Sequence, residues 1–132
     1  MKAKVNSSTI SKKPFDFKTS LKVGDSVMVI SGGNNKTGRN LKGQVGQLKR
    51  IFPKSSRVIV ENLNMVSRHK RASNTQEQST IVRKEGSVHI SNVMFYSETL
   101  KRPLRLKTGA GKDGNLTRGF INPETKTFES LD

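Results

Sequence analysis

Nowhere in this chain do apolar residues recur at the spacing of a helical face. They come instead in short runs rich in β-branched side chains and cut off by glycine. The clearest is Val27-Met28-Val29-Ile30, entered through the polar turn Gly24-Asp25 and left through Ser31-Gly32-Gly33. Side chains of this kind fit a pleated surface, and the flanking glycines end the run, so a strand is expected over residues 26–30. Apolar on both faces yet only five residues long, it suits a small closed barrel better than an open sheet.

The rest of the chain continues in the same style. A second strand runs from about Gly43 to Phe52. Val45 and Leu48 lie three apart with Gly46 between them, and a bulge near Gly46 is expected to restore the phase. Pro53-Lys54-Ser55-Ser56 is a turn, and Arg57 to Glu61 is a third strand, which makes a hairpin. Between the first two strands, Ser31 to Leu41 reads as a loop whose glycines permit positive φ and whose Asn34 and Asn35 tolerate it. Polar, aperiodic residues 72–79 read as a protruding loop. Thr80 to Gly86 and Val88 to Tyr96 read as further strands, the latter with Val88, Ile90, Val93 and Phe95 inward and a phase shift at Ser91-Asn92. Beyond Tyr96 the alternation of Leu104 and Leu106, then Phe120-Ile121 and Phe128 around an Asn122-Pro123 turn, points to a small β appendage.

The expected organisation is therefore all-β. Residues 1–20, with Lys2, Lys4, Lys12 and Lys13, form a basic arm, and Phe15 and Phe17 are placed for a short edge strand. Residues 21–67 form the barrel core, 68–98 a basic segment with the protruding loop and further strands, and 99–132 a C-terminal β extension. The first residues are rich in Lys and Ser and lack the apolar core of a secretory signal. They read as a basic arm in preference to a transit-like segment.

Charge narrows the function. Twenty-five Lys and Arg stand against ten Asp and Glu, a net charge of +15. Self-repulsion of that size weakens a compact monomer, and a polyanionic partner relieves it. From Ser26 to Val60 there is no acid at all, while Lys36, Arg39, Lys42, Lys49, Arg50, Lys54 and Arg57 are basic. A charge run is usually a solvated face, and Lys101-Arg102 and Lys112 fit that description. Cations on glycine-rich loops beside a compact core are different, because they reach phosphates without unfolding anything. Aromatic residues make up only 5% and there is no Trp, which argues against stacking single-stranded bases. Contacts to phosphate, sugar and RNA shape are the expected mode. A membrane partner would need a long apolar span or a basic amphipathic helix, and the sequence shows neither.

Catalysis finds no support. Gly33-Asn34-Asn35-Lys36-Thr37-Gly38 resembles a phosphate-cradling loop only until one notes that Asn35 precedes the lysine and a strand follows. His69 and His89 are the only histidines and have no partner at ligand spacing. Cysteine is absent, and the acids form no pair suited to proton transfer. No enzyme activity, metal, cofactor or small-molecule substrate is expected.

The residues Gly24-Asp25-x-Val27-x-Val29-Ile30-Ser31-Gly32, then Lys36, then Gly43-x-Val45 resemble the KOW motif of small SH3-like barrels. Arg57 to Lys70 and Ile81 to Met94 resemble the stretches that follow it in the bacterial and plastid type of large-subunit ribosomal protein L-twenty-four. This resemblance spans about Lys22 to Tyr96. It implies an SH3-like barrel bound to the 5′ domain of large-subunit rRNA early in assembly, beside neighbouring large-subunit proteins and near the nascent-chain exit. Lys36, Arg39 and Lys42 would be loop contacts to rRNA phosphates, and Arg68, His69, Lys70 and Arg71 a second contact line. Lys49, Arg50, Arg83 and Lys84 complete the candidate RNA contacts, while Gly24, Gly32 and Gly43 serve the backbone. The 72–79 loop matches the hairpin loop that projects toward the exit. Ser91 to Ser97, with few alanines and many Lys, Asn and Ser throughout, favours a plastid ribosome over a bacterial one. The alternative is a KOW-type transcription or translation factor that binds a protein.

Overall fold

The computed structural model describes residues 18–34, 39–73 and 78–131, and they are all-β. The edge strand expected around Phe15 and Phe17 lies outside them, as does most of the basic arm. The strands are β1 (Ser26–Val29), β2 (Gly33–Asn34), β3 (Arg39–Asn40), β4 (Val45–Phe52), β5 (Arg57–Val60), β6 (Met65–Lys70) and β7 (Thr80–Glu85). They continue with β8 (Val88–His89), β9 (Val93–Ser97), β10 (Arg102–Leu104), β11 (Leu106–Ala110), β12 (Leu116–Ile121) and β13 (Phe128–Ser130). Every pairing among them is antiparallel.

Barrel closure is achieved with very few residues. β1 pairs with β4 on one side and with β9 on the other. β4 pairs with β5 across the Pro53–Ser55 turn, as the hairpin reading expects, and β5 pairs with β8. β8 and β9 belong to one run of chain, turned by a single 3₁₀ turn at Ile90–Asn92. This corner is the phase shift read at Ser91-Asn92. It brings the pairing back to β1, and the Ile30 N–H donating to the Asn92 carbonyl (2.8 Å) fixes it there. Inside lie Val27, Val29, Leu48, Val58, Val60, Leu63, Val88, Ile90 and Val93. Valines suit so narrow a barrel because a branched Cβ fills space close to the backbone.

Three local expectations need correction. β1 is not buried on both faces, since Val27 and Val29 are fully buried but Met28 and Ile30 only partly. The bulge is not near Gly46. Gly46 stays in register opposite Val27 and faces inward, where a Cβ would come within 2.9 Å of Val60 Cγ1 and of the Glu61 carbonyl oxygen. Val45 takes the outer face, 42% exposed. The register shifts instead between Leu48 and Arg50, so the three-residue step in the core runs from Leu48 to Ile51. Finally, the loop from Ser31 to Leu41 contains the short β2–β3 pairing.

Two turns of the same design flank β1 in space. In Lys22–Asp25 and in Leu41–Gln44 the fourth N–H donates to the first carbonyl, at 3.2 Å in both cases. The third residue of each, Gly24 (φ +96°) and Gly43 (φ +84°), holds a left-handed conformation that disfavours any side chain. Gly32, with φ +120°, is constrained likewise. The C-terminal extension is β, as expected: β10 adds to β9, and β11–β12–β13 form a separate meander. Its inner face meets the barrel through Phe120, whose ring stacks on Phe95 with centroids 6.1 Å apart.

Candidate nucleic-acid interface

β6 and β7 form a ribbon six residues long on each strand, about 20 Å at the usual strand rise. The basic cluster Arg68-His69-Lys70 is the end of β6, and Arg83-Lys84 lie on β7. Their paired register decides which side chains share a face, because directly opposed residues point the same way and successive residues alternate. One face carries Val66 and Lys84, Arg68 and Val82, Lys70 and Thr80. The other carries Met65 and Glu85, Ser67 and Arg83, His69 and Ile81. The sequence-contiguous cluster is thus divided: Arg68 and Lys70 join Lys84, whereas His69 joins Arg83. Arg71 follows the paired strand and is exposed.

The ribbon projects without a second layer. Ile81 is 63% exposed, Met65 46% and Val82 42%, and a two-stranded ribbon of this size is marginal in water by itself. Its root is tied to the barrel at two points. The Gly86 N–H donates to the Asn64 carbonyl at 2.8 Å, and Lys49 Nζ on β4 reaches Glu85 Oε1 at 3.1 Å. A hydrogen bond from its own backbone N–H and then the Lys49 ammonium hold the Glu85 carboxyl below its ordinary value of 4.5. Glu85 is the one acid in the ribbon's paired strands, and it is engaged with the barrel.

On the barrel, Lys42 is the second residue of the Leu41–Gln44 turn and exposed to solvent. Arg50 is exposed beside the register shift, its guanidinium 5.9 Å from the centroid of the Phe52 ring. Lys49 is exposed but already paired with Glu85. Arg39 opens β3, which places its backbone near the Lys42 turn. Lys36 lies outside the described residues. A connection that sequence reading missed joins the meander to the barrel: Arg118 on β12 grips Asp25 through two bonds, Nη1 to Oδ2 at 2.5 Å and Nη2 to Oδ1 at 3.0 Å. The same Nη1 donates to the Ser20 carbonyl. No local pattern announces a pair separated by more than ninety residues.

Among the described residues no His, Cys, Asp and Glu side chains converge in a group able to hold a metal ion. No helix there is long and apolar enough to cross a membrane. His89 is exposed, its Nδ1 accepting from the Ser91 N–H at 3.2 Å, so it caps the 3₁₀ corner as a strand-end residue. The described residues thus form a small barrel and a projecting ribbon with exposed cations on both.

The family model for the C-terminal domain of large ribosomal subunit protein uL24 matches residues 63–121, from the ribbon through most of the meander. The chain is 43% identical over 106 residues to "Large ribosomal subunit protein uL24" of Geobacter metallireducens, covering 80% of this chain and 91% of that protein. It is 42% identical over 112 residues to the protein of that name from Synechococcus sp. (strain CC9311), covering 85% and 98%. With the one from Parasynechococcus marenigrum it shares 38% over 121 residues, 91% of this chain and 93% of the relative. The chain belongs to the uL24 family, structural and non-enzymatic proteins of the large ribosomal subunit.

Proposed function

We propose that this uL24 protein binds large-subunit rRNA, in its 5′ domain, as an assembly protein positioned near the nascent-chain exit. The observation that carries the reading is the distribution of charge. A barrel with an aliphatic interior, together with its ribbon, presents Lys42, Arg50, Arg68, Lys70, Arg71 and Lys84 to solvent. Long-range neutralisation by RNA phosphates lowers the self-repulsion of a +15 chain, and each such contact releases counterions. Lys36 and Arg39 belong to the same proposed loop contact. Lys49 joins the set only by exchanging Glu85 for a phosphate. Gly24, Gly32 and Gly43 act through the backbone, shaping the turns that carry the cations. The ribbon and the 72–79 loop at its end are the element that would project toward the exit, alongside neighbouring large-subunit proteins. A plastid ribosome is the proposed setting, supported by the composition and by cyanobacterial relatives at 42% and 38% identity.

The test is binding of the full chain to a transcript of the 5′ domain of large-subunit rRNA, measured from about 50 to 200 mM salt, with footprinting of the protected phosphates. A steep inverse dependence on salt and discrete protections are expected. Replacing Lys36, Arg39 and Lys42 together by Ala should reduce the slope of log affinity against log salt by about two units, at roughly 0.7–0.9 per phosphate contact. An unchanged slope would remove the loop from the interface.

A further inference from the structure

Resting on the rRNA-binding reading, we infer that the β6–β7 ribbon is single-sided toward RNA. The face carrying Arg68, Lys70 and Lys84 lies along a phosphate backbone, and the face carrying Met65, His69, Ile81 and Arg83 is turned away from it.

Charge is divided unequally by the register. The first face holds three cations and no acid, spread along Val66–Lys84, Arg68–Val82 and Lys70–Thr80. The second holds one open cation, Arg83, beside His69 and Glu85, the last already engaged by Lys49 on β4. Neither Arg68, Lys70 nor Lys84 has an acidic partner among the described residues, so a phosphate displaces no internal ion pair when it meets them. Arg68 and Lys70 stand two residues apart on one strand, about 7 Å by strand rise, a spacing close to that of successive phosphates along a nucleic-acid strand. Lys84 lies across the ribbon from Val66, which extends the same track toward the barrel.

At the root, Glu85 on the second face is held by Lys49 on β4, so the acid of that face is fixed at the barrel while the rest of both faces is open to solvent. Exposed Val82 and partly buried Val66 sit between the cations of the first face. Their aliphatic surface packs against sugars while guanidinium and ammonium groups take the phosphates, the division of contacts expected where a protein follows an RNA backbone. The opposite face offers a phosphate a single cation, Arg83, against the three that line the first.

The experiment compares three full-length variants against the same 5′-domain transcript: Arg68→Gln/Lys70→Gln/Lys84→Gln, His69→Gln/Arg83→Gln, and Arg102→Gln/Lys107→Gln/Lys112→Gln as a control that removes equal charge from the C-terminal extension. Circular dichroism and the thermal midpoint establish that each is folded. The first variant should lose two to three units of salt slope (about 0.7–0.9 per contact) and its ribbon footprint, while the other two stay within about half a unit of wild type. If the first keeps its slope while wild type binds steeply, the sidedness is wrong and the RNA-binding reading survives. If His69→Gln/Arg83→Gln or the control loses as much, the assignment of the face is overturned as well. A wild-type chain without salt-dependent binding overturns the parent reading and this one together.

Discussion

The Arg118–Asp25 clamp should be worth far more than a surface ion pair, and a double-mutant cycle can measure it. Its geometry is two parallel hydrogen bonds, at 2.5 and 3.0 Å, between side chains that are only 14% and 11% exposed. At an effective dielectric near 20, unit charges about 3 Å apart attract by roughly 5 kcal/mol. Partial desolvation of both groups takes back more than half of that. A coupling of about 2 kcal/mol remains, against the roughly 0–1 kcal/mol typical of exposed pairs. Asp25→Asn, Arg118→Gln and the double variant would be unfolded in urea. The amide introduced by Asp25→Asn retains an oxygen for the Lys22 N–H, which the aspartate accepts at 2.8 Å. The cycle cancels the separate loss of the Arg118 bond to the Ser20 carbonyl. Arg118→Lys should recover only part of the coupling, because an ammonium lacks the planar fork. Hydrogen exchange should report the loss first in β11–β13, which the clamp joins to the barrel together with the Phe95–Phe120 stack. A coupling below about 0.5 kcal/mol would refute the reasoning and place the pair with ordinary surface contacts.

Two further predictions concern the barrel and the ribbon root. Gly46→Ala should destabilise the fold by about 1–3 kcal/mol in urea unfolding, because the new methyl would start 2.9 Å from Val60 Cγ1 and from a backbone oxygen; a neutral result would mean that Gly46 does not face the core. Glu85 has a lowered pKa in the folded state, so its contribution to the ribbon root is fully present above the unfolded carboxylate value of 4.5 and is lost as pH falls below it through the folded value. An NMR titration should find the Glu85 midpoint below 4.5 in the wild type and shifted upward, but not fully restored, in Lys49→Met, since the backbone hydrogen bond is the larger cause. Identical midpoints in the two proteins would show that the ion pair plays no part.

Much of the barrel was legible because its evidence is local. Val27 to Ile30 between glycines and the hairpin around Pro53 each announce themselves within a dozen residues. Gly46 misled because a glycine in a strand marks either a bulge or a close approach, and only the position of Val60 on the neighbouring strand distinguishes them. The ribbon was harder to read. Exposed on both faces, β6 and β7 carry no alternation of buried and open residues, so Arg68, His69 and Lys70 appear as one cluster. Their separation depends on Lys70 pairing with Thr80, a register that no burial pattern along either strand specifies. The candidate contacts were therefore visible as residue types, but their division between faces was not.

The 3₁₀ corner at Ile90–Asn92 also sets the order in which the protein can be made. β4 and β5 meet across a short turn and can pair as soon as both exist, but β1 must wait for β9. Val27 pairs with Phe95, sixty-eight residues further along. Contacts so distant in sequence slow folding, because the loop between them loses its freedom before the pairing compensates. During synthesis the first strand therefore leaves the ribosome with one edge unsatisfied, and it stays so until the corner and β9 have followed. Through that interval the half-built chain already carries all the cations of residues 36–57, with no acid among them. A protein of the large ribosomal subunit thus spends its early life as an open, highly basic strand, and its barrel closes only when its last strand turns the corner.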